Sequence, residues 1–284
     1  MNISHLKAFL EIAATGSFLK SAERLHITQS TISARIKTLE EQLGQPLFIR
    51  KRDGALLTPQ GHQLVHHAKT AVQAWAQAKQ QLSLPDQLES ILSIGVQTDL
   101  WDTLLLPWLD VLKQEHPDVG LALRVEYSET LLEEIHQGKL DLAITYLPSS
   151  FPGFVSDALY SDELILVSSH ERPPTQEWRE DYVYVDWGRE FQRAHQKAYP
   201  GLRAPAFSVG SYRLAMDYIY RNEGSAFVPR RAVEDQLKSG VIFEVKGAPR
   251  FARDVYLVQS ITPAQSQLNQ MAIDSLTRYL RDHS

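Results

Sequence analysis

Ser17-Phe18-Leu19-Lys20-Ser21-Ala22-Glu23-Arg24-Leu25-His26-Ile27-Thr28-Gln29-Ser30-Thr31-Ile32-Ser33-Ala34-Arg35-Ile36-Lys37-Thr38-Leu39-Glu40-Glu41-Gln42-Leu43-Gly44 holds two helical patterns with a short break between them. Ser17 is a good N-cap for the first, which places Phe18, Ala22 and Leu25 on one face. Thr28 caps the second, whose Ile32, Ile36, Leu39 and Leu43 recur at helical spacing until Gly44 supplies a stop. The break at His26–Ile27 gives a helix-turn-helix arrangement. With the Ile/Leu stripe inward, Ser30, Thr31, Ser33, Ala34 and Lys37 face outward. Small residues there let a helix backbone sit deep in a major groove. Gln29, in the first turn, can pair bidentately with adenine, whereas Lys37, two turns on, suits a phosphate.

Upstream, Leu6, Phe9, Leu10 and Ala13 form another amphipathic helix ending at Gly16. Polar residues interrupt that stripe, so no signal peptide or membrane span is expected. Downstream, Leu47 to Leu57 reads as two short strands around Asp53-Gly54, a pair that supplies the positive φ values of a tight hairpin. Arg50, Lys51 and Arg52 sit at its tip, which makes a cationic wing beside the third helix. A plain three-helix bundle with a solvated basic loop is the competing reading.

Net charge is −5 overall, but residues 1–90 hold ten Lys/Arg against seven Asp/Glu, and the rest nineteen against twenty-seven. A basic head on an acidic body fits a head that meets phosphate. Cysteine is absent, which rules out disulfides and Cys-ligated zinc and fits a reducing, cytoplasmic setting.

The run Phe9-Leu10-Glu11, Gly16-Ser17-Phe18, Ala22 to Ser30, Ser33, Ile36, Leu39-Glu40, Leu43-Gly44, Leu47-Phe48, Arg50 and Leu57-Thr58-Pro59-Gln60-Gly61 closely resembles the LysR-type transcriptional regulators. Many members carry proline where Ser30 stands here. The resemblance covers essentially the whole chain. It implies a homodimeric or tetrameric regulator that binds double-stranded promoter DNA at an interrupted palindrome and answers to a small-molecule effector. It leaves room for RNA polymerase as a partner, and implies neither a cofactor nor a metal. Leu100-Trp101, Pro107-Trp108-Leu109 and Asp186 to Gln192 are similar to the branch that includes enterobacterial repressors of the flagellar master operon.

Thr58-Pro59 opens a linker helix, with proline at the favoured first position. Leu64, Ala68, Ala71, Trp75, Ala78 and Leu82 then alternate spacings of four and three up to Pro85, an a/d seam suited to dimerisation. The same stripe could instead pack on its own domain. His62 and His66 stand four apart without a third ligand and read as surface residues.

The remainder alternates strands and helices, giving α/β architecture with a mostly parallel sheet. Strands are expected near 91–96, 119–127, 140–145, 164–167, 182–185, 206–209, 226–228 and 255–259, with a final helix over 263–281. Two lobes joined by a double crossing resemble the periplasmic-binding-protein fold, which in the LysR family holds the effector in its cleft. The expected domains are 1–58 for the winged helix-turn-helix, 59–89 for the linker and 90–284 for the effector domain. One lobe takes about 90–158 and 260–284, the other about 159–259.

Ligands of open α/β sheets sit at the carboxyl ends of strands. That nominates Gln97, Thr98, Asp99 and Tyr146 from one lobe, and Ser169, Trp187 and Ser211 from the other. The resemblance adds Phe227 and strengthens Thr98 and Ser211. Thr98 or Asp99 could instead cap a helix, and Trp187 could be core. Asp99 and Asp102 are expected at the positive start of the helix after the first strand, which favours a neutral, zwitterionic or cationic effector unless Arg172, Arg189, Arg213 or Arg221 offsets them. No Gly-x-Ser-x-Gly, glycine-rich phosphate loop or His-Glu-x-x-His is present, so no enzyme is indicated. An exported solute-binding protein, which the two lobes alone would suggest, does not account for the helix-turn-helix.

Overall fold

A computed structural model describes residues 2–51, 54–81, 88–172, 181–201 and 206–283. The chain divides into two compact units, the first formed chiefly by residues 1–91.

In the first unit, α1 (Ile3–Thr15), α2 (Phe18–Arg24) and α3 (Gln29–Leu43) pack around Phe9, Ile12, Ile32, Ile36 and Leu39, all essentially inaccessible. Capping sets each boundary. The Ser17 hydroxyl accepts from Lys20 N, the Thr28 hydroxyl accepts from Thr31 N, and Gly16 and Gly44 end their helices in the left-handed region. The hairpin of β1 (Phe48–Lys51) and β2 (Gly54–Leu57) pairs Lys51 with Gly54. Its root docks on the end of α1, where Ala55 N donates to Gly16 O at 2.7 Å and a Cβ on Gly54 would strike that same carbonyl. Glu40 fixes its other side by accepting from Leu47 N and Phe48 N, at 2.7 and 3.2 Å. Arg52 and Asp53 lie outside the described residues, as does the side chain of Arg50.

Helix α4 (Pro59–Gln81) is capped by the Thr58 hydroxyl, which accepts from Gly61 N at 3.0 Å. The first part of its stripe packs on its own unit, as the alternative to a dimer seam had it. Ala68 is 1% exposed within the core that α1 helps build, and Leu64 and Ala71 pack against the same cluster. The first half of the seam therefore serves its own unit, where α4 packs along α1. Trp75 is exposed, Ala78 half-buried, and Leu82 lies outside the described residues.

The second unit is an α/β body of two lobes. Lobe I holds β3 (Ser90–Gln97), α5 (Leu106–Glu115), β4 (Val119–Glu126), α6 (Ser128–His136) and β5 (Leu142–Thr145). The chain leaves it along β6 (Phe154–Ser168). Lobe II holds β7 (Val183–Val185), α7 (Arg189–Ala198), β8 (Phe207–Val209), α8 (Tyr212–Asn222), β9 (Ser225–Pro229), a short α9 (Glu234–Lys238) and β10 (Phe243–Glu244). It returns along β11 (Phe251–Ser260) to α10 (Ser266–Asp282). Trp108 of α5, fully buried, anchors α10 by donating from Nε1 to Ser275 Oγ at 3.2 Å.

The sheet is less parallel than expected. β3 pairs β5 and β7 pairs β8 in parallel, but β6 runs antiparallel to β9, β10 and β11, and β11 antiparallel to β5. Two long strands that carry the chain out of lobe I and back must run in opposite directions, and they pair with each other along most of their length. Their register shifts between Val255 and Tyr256, a bulge where the strands pass from one lobe to the other. No helix among the described residues is long and apolar enough to cross a membrane.

Candidate nucleic-acid interface and inter-lobe cleft

The start of α3 presents a polar surface above a fully apolar underside. Gln29, Ser30, Thr31, Ala34 and Lys37 are exposed, and Ser33 is half-buried beside Ile32 and Ile36. The hydroxyls of Ser30 and Thr31 lie 2.9 and 2.8 Å from the Thr28 hydroxyl, so they rigidify the cap as well as face outward. The Gln29 side chain is exposed, makes no hydrogen bond among the described residues and keeps its amide available. Lys37 reaches only Glu41, at 3.8 Å on an open surface, a pairing worth at most a few tenths of a kcal/mol. Lys51 is exposed on the hairpin. A polar helix start beside a basic hairpin can enter a major groove while the hairpin meets backbone phosphate.

The second unit holds a cavity of about 250 Å³ between its lobes. Gln97, Asp99, Tyr127, Ser128, Glu129 and Tyr146 line it from lobe I, Asp186, Trp187, Gly188 and Gly210 from lobe II, and Arg253 from β11. Lobe I supplies a rigid floor. Ser128 Oγ donates to Gln97 Oε1 at 2.9 Å and accepts from Tyr146 N at 3.0 Å. Trp187 is held by donating from Nε1 to Phe227 O at 3.0 Å, with its ring edge-to-face on Tyr146. Gly210 is glycine for want of room, since a Cβ there would meet the Tyr127 hydroxyl reaching across from lobe I.

Four expected cleft residues are placed differently. Phe227 is fully buried among Tyr182, Phe191, His195 and Phe251, so it is core and only its carbonyl supports the cleft, through Trp187. Burial in that aromatic cluster also pushes the His195 imidazole down to about 4. Ser169 lies at the far end of β6, its hydroxyl accepting from Gly224 N at 3.1 Å. Thr98 is half-buried outside the cavity wall and caps no helix. Ser211 is the N-cap of α8 and is also outside the wall.

Ser211 instead meets Asp99. Its Oγ donates to Asp99 Oδ1 at 2.6 Å, and Tyr212 N donates to the same oxygen at 3.0 Å. Alongside, Tyr212 Oη donates to Asp102 Oδ2 at 2.6 Å, and Arg213 pairs with that oxygen at 3.4 Å. The two aspartates thus serve the start of α8 in the opposite lobe and not their own helix end, because a 3₁₀ turn and a π turn delay α5 to Leu106. Burial pushes the Asp99 carboxyl up to about 6, with Asp102 adding repulsion; the hydrogen bonds from Ser211 and Tyr212 oppose this.

Sequence reasoning also missed Arg253. It alternates with Phe251, Val255 and Leu257 on the inner face of β11, where an arginine is out of pattern, and that break in a period of two is the signal that could have found it.

Residues 3–62 match the bacterial regulatory helix-turn-helix protein, lysR family, and residues 85–283 match the LysR substrate binding domain. The chain belongs to the LysR family. It is a transcriptional regulator with an effector-binding domain. It is 31% identical over 239 residues, 81% of each chain, to the HTH-type transcriptional regulator HdfR of Yersinia pestis and of Yersinia pseudotuberculosis. LysR-type folds of known structure superpose along its length. Full-length LysG from Corynebacterium glutamicum with bound effector Arg gives a TM-score of 0.64 at 22% identity, covering 99% of both chains. ArgP from Mycobacterium tuberculosis gives 0.62 at 20%, covering 97% of this chain and 96% of that one.

Proposed function

We propose that this regulator reads promoter DNA with Gln29, Ser30, Thr31, Ser33 and Lys37 of α3, while Arg50, Lys51 and Arg52 hold the flanking phosphates. It works in the cytoplasm as a homo-oligomer on an interrupted palindrome, catalyses no reaction, and influences RNA polymerase there. A small effector bound between the lobes sets its state. The carrying observation is the unencumbered Gln29 side-chain amide at the first turn of a helix whose opposite face is anchored in the core by Ile32, Ile36 and Leu39. Self-association is assigned to the exposed half of α4 around Trp75 and Ala78, where 49% of Trp75 remains accessible.

Binding-site selection and a gel shift on the DNA flanking the protein's own gene test this reading. Gln29→Ala should cost about 1–3 kcal/mol at one base position and relax preference there. Lys51→Ala should weaken all sequences alike and reduce the salt dependence by roughly one phosphate contact. An unchanged site logo for Gln29→Ala would remove that residue from base readout. An effector can shift the DNA-bound state only through unequal affinity for two arrangements of the cleft.

A further inference from the structure

Arg253 is a charged side chain in a nearly closed place with no carboxylate in ion-pair contact; Glu190, Glu129 and Asp254 act on it only from a distance. It is 8% exposed, and its guanidinium lies over the Tyr146 ring, 4.9 Å from the centroid. Among the described residues it makes no ion pair and no hydrogen bond, and its buried Nε has no partner. Burial lowers its pKa, the mark of a cation held away from water. A buried, unpaired guanidinium is expensive for a fold to keep, and a ligand anion would relieve it through a bidentate bond.

The same wall carries three carboxylates, Asp99, Glu129 and Asp186. Glu129 and Asp186 are exposed at the rim and come from opposite lobes, so they face a ligand from both sides. A dianion would turn its second charge toward them. A simple amine would leave Arg253 unanswered. The start of α8 offers no alternative anion site, because Asp99 already fills it. A cavity of about 250 Å³ falls just under the range of roughly 300–1,000 Å³ typical for drug-sized ligands, which limits the occupant to a small metabolite.

We propose that the cleft binds a zwitterion of the α-amino-acid class, its carboxylate on Arg253 and its ammonium between Glu129 and Asp186. This rests on the effector reading above and gives it a ligand chemistry.

Calorimetry on the full-length protein, with each common protein amino acid and with the amine left by removing its carboxylate, tests the assignment. At least one amino acid should bind saturably, and its amine should bind on the order of 10- to 100-fold more weakly. Arg253→Gln should lose the same factor for the amino acid. Asp186→Asn should lose a few-fold while folding normally, because the amide oxygen can still accept from Gly188 N, now 3.0 Å from the carboxylate. If Arg253→Gln proves unstable, Asp186→Asn and the amine series decide the matter alone. The proposal is overturned if no amino acid binds, if an amine binds as tightly as its parent, or if succinate binds better than any of them. A gel shift run in parallel keeps the readings apart: loss of DNA binding in the parent protein strikes the regulator reading, whereas the calorimetry judges the ligand independently.

Discussion

Ala68→Asp is expected to weaken DNA binding strongly by bringing the N-terminal unit to the edge of unfolding, leaving the second unit folded. Ala68 is 1% exposed in a core shared with Leu6, Phe9, Ile32 and Leu39, with Leu64, Val65, Ala71 and Val72 packed around it. An aspartate there would bury a charge with no partner, at a cost of roughly 3–5 kcal/mol after relaxation. A unit this small holds only about 5 kcal/mol, so roughly 0–2 kcal/mol would remain and a large share of molecules would carry an unfolded head at 37 °C. Limited proteolysis of the full chain should then cut freely before α4 and leave the second unit resistant. Trp75→Ala behaves oppositely: the head melts as before and sedimentation shows weaker self-association. A resistant, well-folded Ala68→Asp protein that sediments as a monomer would restore the first half of α4 to a dimer seam.

That contrast shows which parts of this molecule its sequence discloses. The helix-turn-helix was legible because every determinant is local: caps at Ser17 and Thr28, stops at Gly16 and Gly44, and one apolar stripe per helix. The α4 stripe was legible as a helix but silent about its partner, since a spacing near 3.5 serves a neighbouring helix of the same unit as well as a second copy. Strand positions in the second unit showed in their apolar runs. Pairing direction did not, because it depends on β6 and β11 being long enough to cross both lobes. The cleft was half legible. Gln97, Asp99, Tyr146 and Trp187 follow from strand ends, whereas Ser211 bonds across to Asp99, and Phe227 is drawn into an aromatic core that no local pattern announces.

Asp99→Ala is expected to loosen the two lobes, with a change larger than any other single substitution in the cleft should cause. It removes the acceptor of two hydrogen bonds, from Ser211 Oγ and Tyr212 N, and both donors are buried at the start of α8. Each stranded donor costs about 1–3 kcal/mol, so the contact should weaken by roughly 2–6 kcal/mol, with the Asp102 bonds to Tyr212 and Arg213 left to hold the lobes. Hydrogen exchange at α8 and around Tyr127 should accelerate, and the cleft should open without an effector. Asp99→Asn keeps the acceptor and isolates the charge. Because burial raises the Asp99 carboxyl from 3.8 to about 6, the folded form takes up a proton that the unfolded chain releases between those values. Stability from this group is therefore greatest below about pH 4, falls as pH rises toward 6, and is level above, a swing on the order of 2–3 kcal/mol. Asp162, pushed up to about 6 by burial against the pull of Arg231, tilts the curve the same way. Calorimetric melts from pH 4 to 7.5 should show the Asp99→Asn curve departing from the parent's by that swing, whatever the other groups add, since Asp162 steepens the fall of both curves and His195, held down to about 4, opposes it in both. An Asp99→Asn curve that parallels the parent would mean that the carboxyl is solvated and the lobes already apart.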